Sequence, residues 1–370
     1  MIAGVAQAAA PARPWHAFAR RAMGSPLRLL LVGLDTEEAA AAWTLVSDDI
    51  EVSEATMSRF RPSSELTALN GVAGRPVRVS PRLYRAVAAA RRAWRLTDGS
   101  FDPRVAADLE RLAYRGAALP DPGATLATPG AGTVAAATGD GTVAVGSACR
   151  DASASVPEDG GRAAVPGVGA RAAVPAHDRP AHPWMSADAR AHALVVDEPI
   201  DLGGIGKGLA LRWAWHTLAL ATPHVTGALL EAGGDMMCGG LPVVGDRWEI
   251  LIDDPMDPGT AVAAVEIGGG AISTSGSTLN RWAAPDRSVV HHLIDPRTGA
   301  PADRGILQVT VAGPDPAWTE VWCKVLYLAG AAEVEREARR RGLAAWWVEE
   351  DGTFRMTPLA RLVTTRTTRG

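Results

Sequence analysis

Residues 196–219, VDEPIDLGGIGKGLALRWAWHTLA, set Gly203, Gly204, Gly206 and Gly208 around Lys207, between an apolar strand and an apolar helix. A glycine-rich turn opening a helix presents bare N–H groups and the positive end of the helix dipole, which suits a phosphate or pyrophosphate. The spacing matches neither the P-loop nor the dinucleotide fingerprint. Alone, it reads equally as a tight turn packed close to a sheet. The lysine is itself unusual: of 37 basic residues, only Lys207 and Lys324 are lysine. At a merely solvated position arginine serves as well, whereas a compact ammonium beside a phosphate or metal-like site is not interchangeable with it. Both lysines are candidate site residues, with chance survival as the plain alternative.

Three further stretches carry usable chemistry. In HHLIDPRTG (291–299), His292 precedes Asp295 by three residues. His292 can act as a general base, with Asp295 as its orienter or as an acid beside a phosphate; a structural histidine is the competing reading. His291 points to the other face of a strand. AISTSGSTLN (271–280) places Ser273, Thr274, Ser275 and Gly276 after an apolar strand, where hydroxyls bind phosphate oxygens or simply make a turn. PAWTEVWCKVLYLAG (316–330) is a helix with Glu320 and Lys324 at i and i+4. An ordinary surface ion pair would look the same. Trp318, Val321, Trp322, Val325 and Leu326 crowd that helix, however, and a buried helix-borne carboxylate suits a metal or phosphate site. The polar connections SRFRPSSELTALN (58–70) and TDGSFDPRV (97–105) are not diagnostic by themselves.

These residues need a scaffold. The chain has 370 residues, 47% of them apolar, enough for a sizeable core. A net charge of −4 gives no general attraction to nucleic acid or a membrane surface, and no apolar run is long enough to span a bilayer. Cys149, Cys238 and Cys323 show no metal spacing and are too few for a disulfide framework, which suits the reducing cytoplasm. The start lacks a basic segment followed by an apolar run, and also a lipobox cysteine, so residues 1–22 are expected as a frayed cytoplasmic leader. SPLRLLLVGL reads as a strand. Helices are expected from Asp35 or Thr36, from Ser80-Pro81 to Asp98-Gly99, after Phe101, and from Leu209, Ala317 and Ala331. Strand-like runs fill most of the second half. Strands and helices mix without a strict βαβ rhythm, so the expected class is α+β. Residues 116–183, rich in Ala, Gly, Pro and Val with a repeated RAAVP, read as a low-complexity, disordered insertion. It divides a body of 23–115 and 184–360, followed by a tail of 361–370.

Taken in order, Met23-Gly24, SRFRPSSELTALN, GSFDPRV, DLGGIGKG, EAGGDMM, STSG, HLIDPRTG and TEVWCK resemble the motif series of the FAD:protein FMN transferases, the ApbE-type flavin transferases. Each motif is weak alone; eight in order, from about residue 23 to 350, are specific. The resemblance implies an α+β fold of the T-fold-related kind with FAD in a cleft. It implies that a threonine or serine hydroxyl of an acceptor protein attacks the FMN-side phosphorus of FAD, releasing AMP. By position, Met23, Phe60, Ser100, Phe101 and Asp102 would line the flavin and adenosine. Asp201 and Lys207 would hold the ribityl-pyrophosphate region, and Thr274 and Ser275 the phosphates, with Leu293 also in the cofactor-binding set. His292, Asp295 and Lys324 would be catalytic. The Gly204 carbonyl and Glu320 would be metal ligands.

One departure stands out. The family's metal helix carries an aspartate and, four residues on, a threonine, both holding Mg²⁺; here Glu320 and Lys324 occupy those places. A protonated lysine cannot ligate Mg²⁺, so the expected Mg²⁺ dependence is weakened or absent. Two alternatives follow the same motifs: an FAD pyrophosphatase yielding FMN and AMP, and a non-catalytic flavin-binding protein. The resemblance implies an acceptor protein that the sequence does not name, since the D-x-x-S/T-G-A-T acceptor pattern does not occur in this chain.

Overall fold

Two tight turns set the central sheet. In the computed structural model, which describes residues 13–116, 145–146, 184–257 and 259–368, Met23-Gly24 joins β1 (Trp15–Ala22) to β2 (Ser25–Val32). Gly233-Gly234 joins β3 (Gly227–Ala232) to β4 (Asp235–Gly240). The φ angles are 51° and 73° in the first turn, 59° and 89° in the second. Two successive left-handed residues mark the type I′ hairpin, whose twist matches that of its strands. Gly233 N donates to Pro26 O at 3.0 Å, which brings both turns to one end of the sheet.

β5 (Gly270–Gly276), β6 (Ile306–Gly313), β7 (Ala344–Glu349) and β8 (Phe354–Met356) complete an eight-stranded sheet. In these labels the spatial order is the chain order, β1 to β8, and every pairing is antiparallel. The α-helices among the described residues are α1 (Thr36–Met57), α2 (Glu65–Asn70), α3 (Pro81–Leu96), α4 (Ala106–Arg111), α5 (Gly206–Ala221), α6 (Pro316–Ala329), α7 (Val334–Arg340) and α8 (Pro358–Arg361). Their starts follow from local chemistry. Asp35 and Glu38 form a reciprocal capping box on α1, while Ser80 and Asp315 cap α3 and α6, each ahead of a proline in the first turn.

Side-chain alternation divides the sheet's two faces. Leu27, Leu29, Leu31, Ala228, Leu230 and Ala232 pack with α1, α3 and α5. Leu30, Val32, Leu229, Met236, Ile272 and Trp346 face a second sheet containing Trp248–Asp253 and Ala261–Ile267. The result is a helical layer, a central sheet and a smaller sheet, the α+β arrangement expected.

The sequence boundaries need correcting at both ends. Residues 15–22, expected within a frayed leader, form β1, paired along its whole length with β2. In the expected tail, Thr364–Thr367 pairs with Ala261–Ile267. α5 starts at Gly206 rather than Leu209, and α2 was not foreseen. The expected insertion lies outside the described residues, except for Gly116 and a two-residue strand, Val145–Gly146, parallel to Trp248–Asp253. Among the described residues no helix is long and apolar enough to cross a membrane.

Candidate active site

The glycine-rich turn is built from both sides. Asn70, the last residue of α2, grips the backbone of Ile200: its Nδ2 donates to Ile200 O at 2.8 Å and its Oδ1 accepts from Ile200 N at 3.0 Å. Asp201 N donates to Pro103 O at 2.7 Å. The Asp201 carboxylate then accepts from Gly203 N at 2.6 Å and forms an ion pair with Arg59. A Cβ on Gly203 would stand 2.7 Å from Asp201 Oδ1, and one on Gly204 would stand 2.7 Å from Phe101 Cε2 and 3.3 Å from Lys324 Cδ. Bare backbone is what lets the turn close on these neighbours.

Gly208 serves a different purpose. A Cβ there would lie 2.5 Å from Ala317 Cα, so this glycine allows the first turns of α5 and α6 to touch. That contact brings Glu320, fully buried on α6, against the start of α5. Its Oε2 accepts from Gly208 N at 2.9 Å. Its Oε1 lies 3.2 Å from Lys324 Nζ and 3.5 Å from Lys207 Nζ. Lys207 also forms an ion pair with buried Asp235, the first residue of β4 after the Gly-Gly turn. The site therefore centres on two carboxylates and two ammoniums, and both lysines of the chain are in it.

Neighbouring charge holds Lys207 and Glu320 in their ionised forms, whereas burial outweighs Lys207 at Asp235 and raises that carboxyl. Burial by itself would lower the Lys207 pKa, but Asp235 and Glu320 outweigh it and hold the group above the ordinary lysine value. Burial works against the Glu320 carboxylate, yet Lys324, Lys207 and the Gly208 N–H together keep it below the usual range.

His292 adjoins this cluster. Burial, with Lys324, His291 and Lys207 as neighbouring positive groups, lowers its pKa to about 3, so its imidazole is neutral at physiological pH. Its buried Nδ1 has no hydrogen-bond partner. The His292 ring stacks on Tyr114 with centroids 6.4 Å apart, and Tyr114 lies 4.6 Å from Trp282 and edge-on to Phe60 at 5.7 Å. The Arg59 guanidinium covers Phe60 at 4.4 Å and Tyr114 at 5.4 Å. Phe60 remains exposed, so this aromatic wall keeps one free surface. Met23, in the β1–β2 turn, joins the same edge: its N–H donates to Glu54 at 2.9 Å, and Glu54 pairs with Arg61 at 3.1 Å.

The structure thus brings together Gly204, Lys207, Glu320, Lys324, Phe101 and His292, with Asp201 and Phe60 alongside. Other expected residues are placed elsewhere. Thr274 projects from the face of β5 opposite Ser273 and Ser275 and bonds Thr310 at 2.9 Å; adjacent strand residues cannot share a face. Ser275 is buried on the helical face, where Ser273 bonds Thr319 at 2.9 Å. Asp295 does not orient His292. It is held by Arg297 at 3.0 Å and Arg304 at 2.8 Å, which keep its carboxyl low despite burial. Asp295 and exposed Ser100 line a cleft with Arg304 and Val325. Asp102 is clamped by buried Arg104 at 2.7 Å while capping the turn Pro103–Val105, and Leu293 lies in the core beneath α6. Sequence reading passed over Asp235, Arg59, Tyr114 and Trp282. For Asp235 the signal was present, in the Gly-Gly turn that aims the next residue at the site.

These residues do not suit a divalent cation. Both Glu320 oxygens are engaged by N–H donors, two of them full ammoniums, and a dication there would meet those charges directly. Among the described residues no group of three or more His, Cys, Asp or Glu side chains is placed to hold a metal.

The chain matches the ApbE family model over residues 23–347. It belongs to the ApbE family. An FAD:protein FMN transferase of Salmonella typhimurium is 26% identical over 335 residues, covering 90% of this chain and 83% of that protein. Another, of Escherichia coli, is 33% identical over 155 residues, 41% of this chain and 43% of that one. Among solved structures, the ApbE protein of Thermotoga maritima superposes with a TM-score of 0.72 at 21% identity, covering 95% of this chain and all of that one. The flavin transferase ApbE of Vibrio cholerae gives 0.65 at 20% identity, covering 95% and 99%. These likenesses place the eight-stranded sheet and its helical layer in the ApbE fold.

Proposed function

We propose that this protein is an FAD:protein FMN transferase, moving FMN from FAD to a threonine or serine hydroxyl of an acceptor protein. The observation that carries the reading is the Lys207–Glu320–Lys324–Asp235 cluster at the start of α5, with neutral His292 beside it. The two ammoniums converge on Glu320 at the start of α5, where a pyrophosphate can be received. The aromatic wall of Phe60, Tyr114 and Trp282 supplies a stacking surface for the flavin ring.

In the proposed reaction the acceptor hydroxyl oxygen bonds to the FMN-side phosphorus. The bond between that phosphorus and the bridging oxygen breaks, and AMP leaves with the bridging oxygen. His292 takes the hydroxyl proton on its unpartnered nitrogen, once the anionic pyrophosphate beside it raises the basicity of the ring. Lys207 and Lys324 balance charge on the pyrophosphate, and positioning supplies most of the remaining rate. Asp295 supports this geometry through its arginine pairs rather than by contact with His292. We also assign the protein to the cytoplasm, a reading supported by the free, buried state of Cys238 and Cys323.

A pyrophosphatase would need no acceptor, and a plain flavin binder no neutral histidine beside its lysines; nothing in the site favours either. Incubation with FAD and an acceptor peptide, followed by AMP measurement, tests the reading. AMP release that depends on the peptide supports transfer, and release without it indicates hydrolysis.

A further inference from the structure

We infer that the Lys324 ammonium stands in for the divalent cation of the flavin transferase site, so that this protein binds FAD without Mg²⁺. The inference rests on the flavin-transferase reading and goes further, to how this chain neutralises its substrate.

Position comes first. The family resemblance gives three positions to metal ligands, the Gly204 carbonyl and the side chains at 320 and 324, and the third is a lysine here. The Lys324 side chain lies against both Gly204 and Glu320: its Cδ lies 3.3 Å from where a Gly204 Cβ would be, and its Nζ reaches Glu320 Oε1 at 3.2 Å. The ammonium therefore sits beside the carboxylate a cation would need.

The donor set agrees. Glu320 shares Oε1 between Lys324 and Lys207, and gives Oε2 to the Gly208 N–H. Asp235 is taken by Lys207. Two carboxylates and two ammoniums balance without an added ion. A dication would have to displace an ammonium or strip its proton, and Glu320 beside Lys324 opposes both.

Residue choice points the same way. The chain uses arginine at 35 of its 37 basic positions and lysine at two, and both lysines converge on one buried carboxylate. A lysine head is a compact point charge that fits where an ion would, which the wide, planar guanidinium does not.

The test is FAD binding by the full-length protein, followed by quenching of flavin fluorescence, in EDTA and in millimolar Mg²⁺. The inference expects dissociation constants that agree within about twofold. A wild-type affinity that drops about tenfold in EDTA and returns with Mg²⁺ would overturn it. So would heat from Mg²⁺ titrated into the FAD-free protein. The double variant E320D/K324T restores the aspartate–threonine pair and is expected to make FAD binding Mg²⁺-dependent. Should it fail to fold, the wild-type comparison decides alone. Absence of FAD binding in both buffers would instead contradict the flavin reading, and the inference with it.

Discussion

His292 carries the most specific consequences at the residue scale. Replacing it with alanine removes the proposed proton acceptor but no contact to the pyrophosphate. His292→Ala is expected to slow transfer by about 10²- to 10⁴-fold while FAD affinity stays near wild type. Equal losses in rate and affinity would assign the ring to binding instead. Its lowered pKa, about 3, also fixes a pH dependence. The free enzyme keeps the ring neutral across the physiological range, so kcat/KM is expected to stay flat from roughly pH 8 to 5. An acid limb at the ordinary histidine value would contradict this. Stability follows the same sign: the unfolded chain binds the proton more readily. This residue's contribution is therefore complete above the unfolded value of about 6.5. It is lost as pH falls towards 3. At this scale residue types were easier to read from sequence than their partners. His292, Lys207, Glu320 and Lys324 were legible because their chemistry is uncommon at those spacings. That Thr274 turns away, and that Asp295 serves Arg297 and Arg304, depends on strand parity and on Arg304 arriving from a separate segment.

Among the elements, the crossing of α5 and α6 matters most. Gly208 lets the two helices touch and binds Glu320 through its N–H. Gly208→Ala is expected to destabilise the fold by about 1–3 kcal/mol through overpacking. It should also weaken FAD binding, because Glu320 and both lysines shift with the crossing. An unchanged urea midpoint together with unchanged FAD affinity would contradict this role. Asn70 makes a second test, since it satisfies both polar backbone groups of Ile200 just before the glycine turn. Asn70→Ala leaves those groups unpaired in a partly buried setting and is expected to cost about 1–3 kcal/mol. Both helices were expected from sequence, but with starts at Leu209 and Ala317 rather than Gly206 and Pro316. The reason for Gly208 was not legible, because a glycine needed by a neighbouring helix looks the same as one needed by a ligand.

Across the whole molecule, the central sheet keeps its strands in chain order from β1 to β8, and its first strand escaped sequence reading. Trp15–Ala22 contains two arginines and a histidine, and it is only half-buried along most of its length, so no clean alternation signals a strand. It is an edge strand, visible only through its partner β2. The C-terminal strand Thr364–Thr367, short and threonine-rich, was missed for the same reason. Motif order gave the family, whereas the edges of the sheet had to come from pairing. Deleting residues 1–22 would uncover the apolar β2 as a new edge. That truncation is expected to lower the urea midpoint and produce aggregates on size exclusion. A monomeric protein of unchanged midpoint would show β1 to be dispensable.

The central claim is transfer of FMN to another protein, and intact mass measures it directly. A peptide carrying the D-x-x-T-G-A-T acceptor pattern is incubated with FAD and the wild-type protein, with His292→Ala as the control. The expected result is a peptide heavier by one FMN less a water, with AMP formed in equal amount and both nearly abolished in the variant. AMP appearing while the peptide mass stays unchanged would contradict transfer and make the protein a pyrophosphatase.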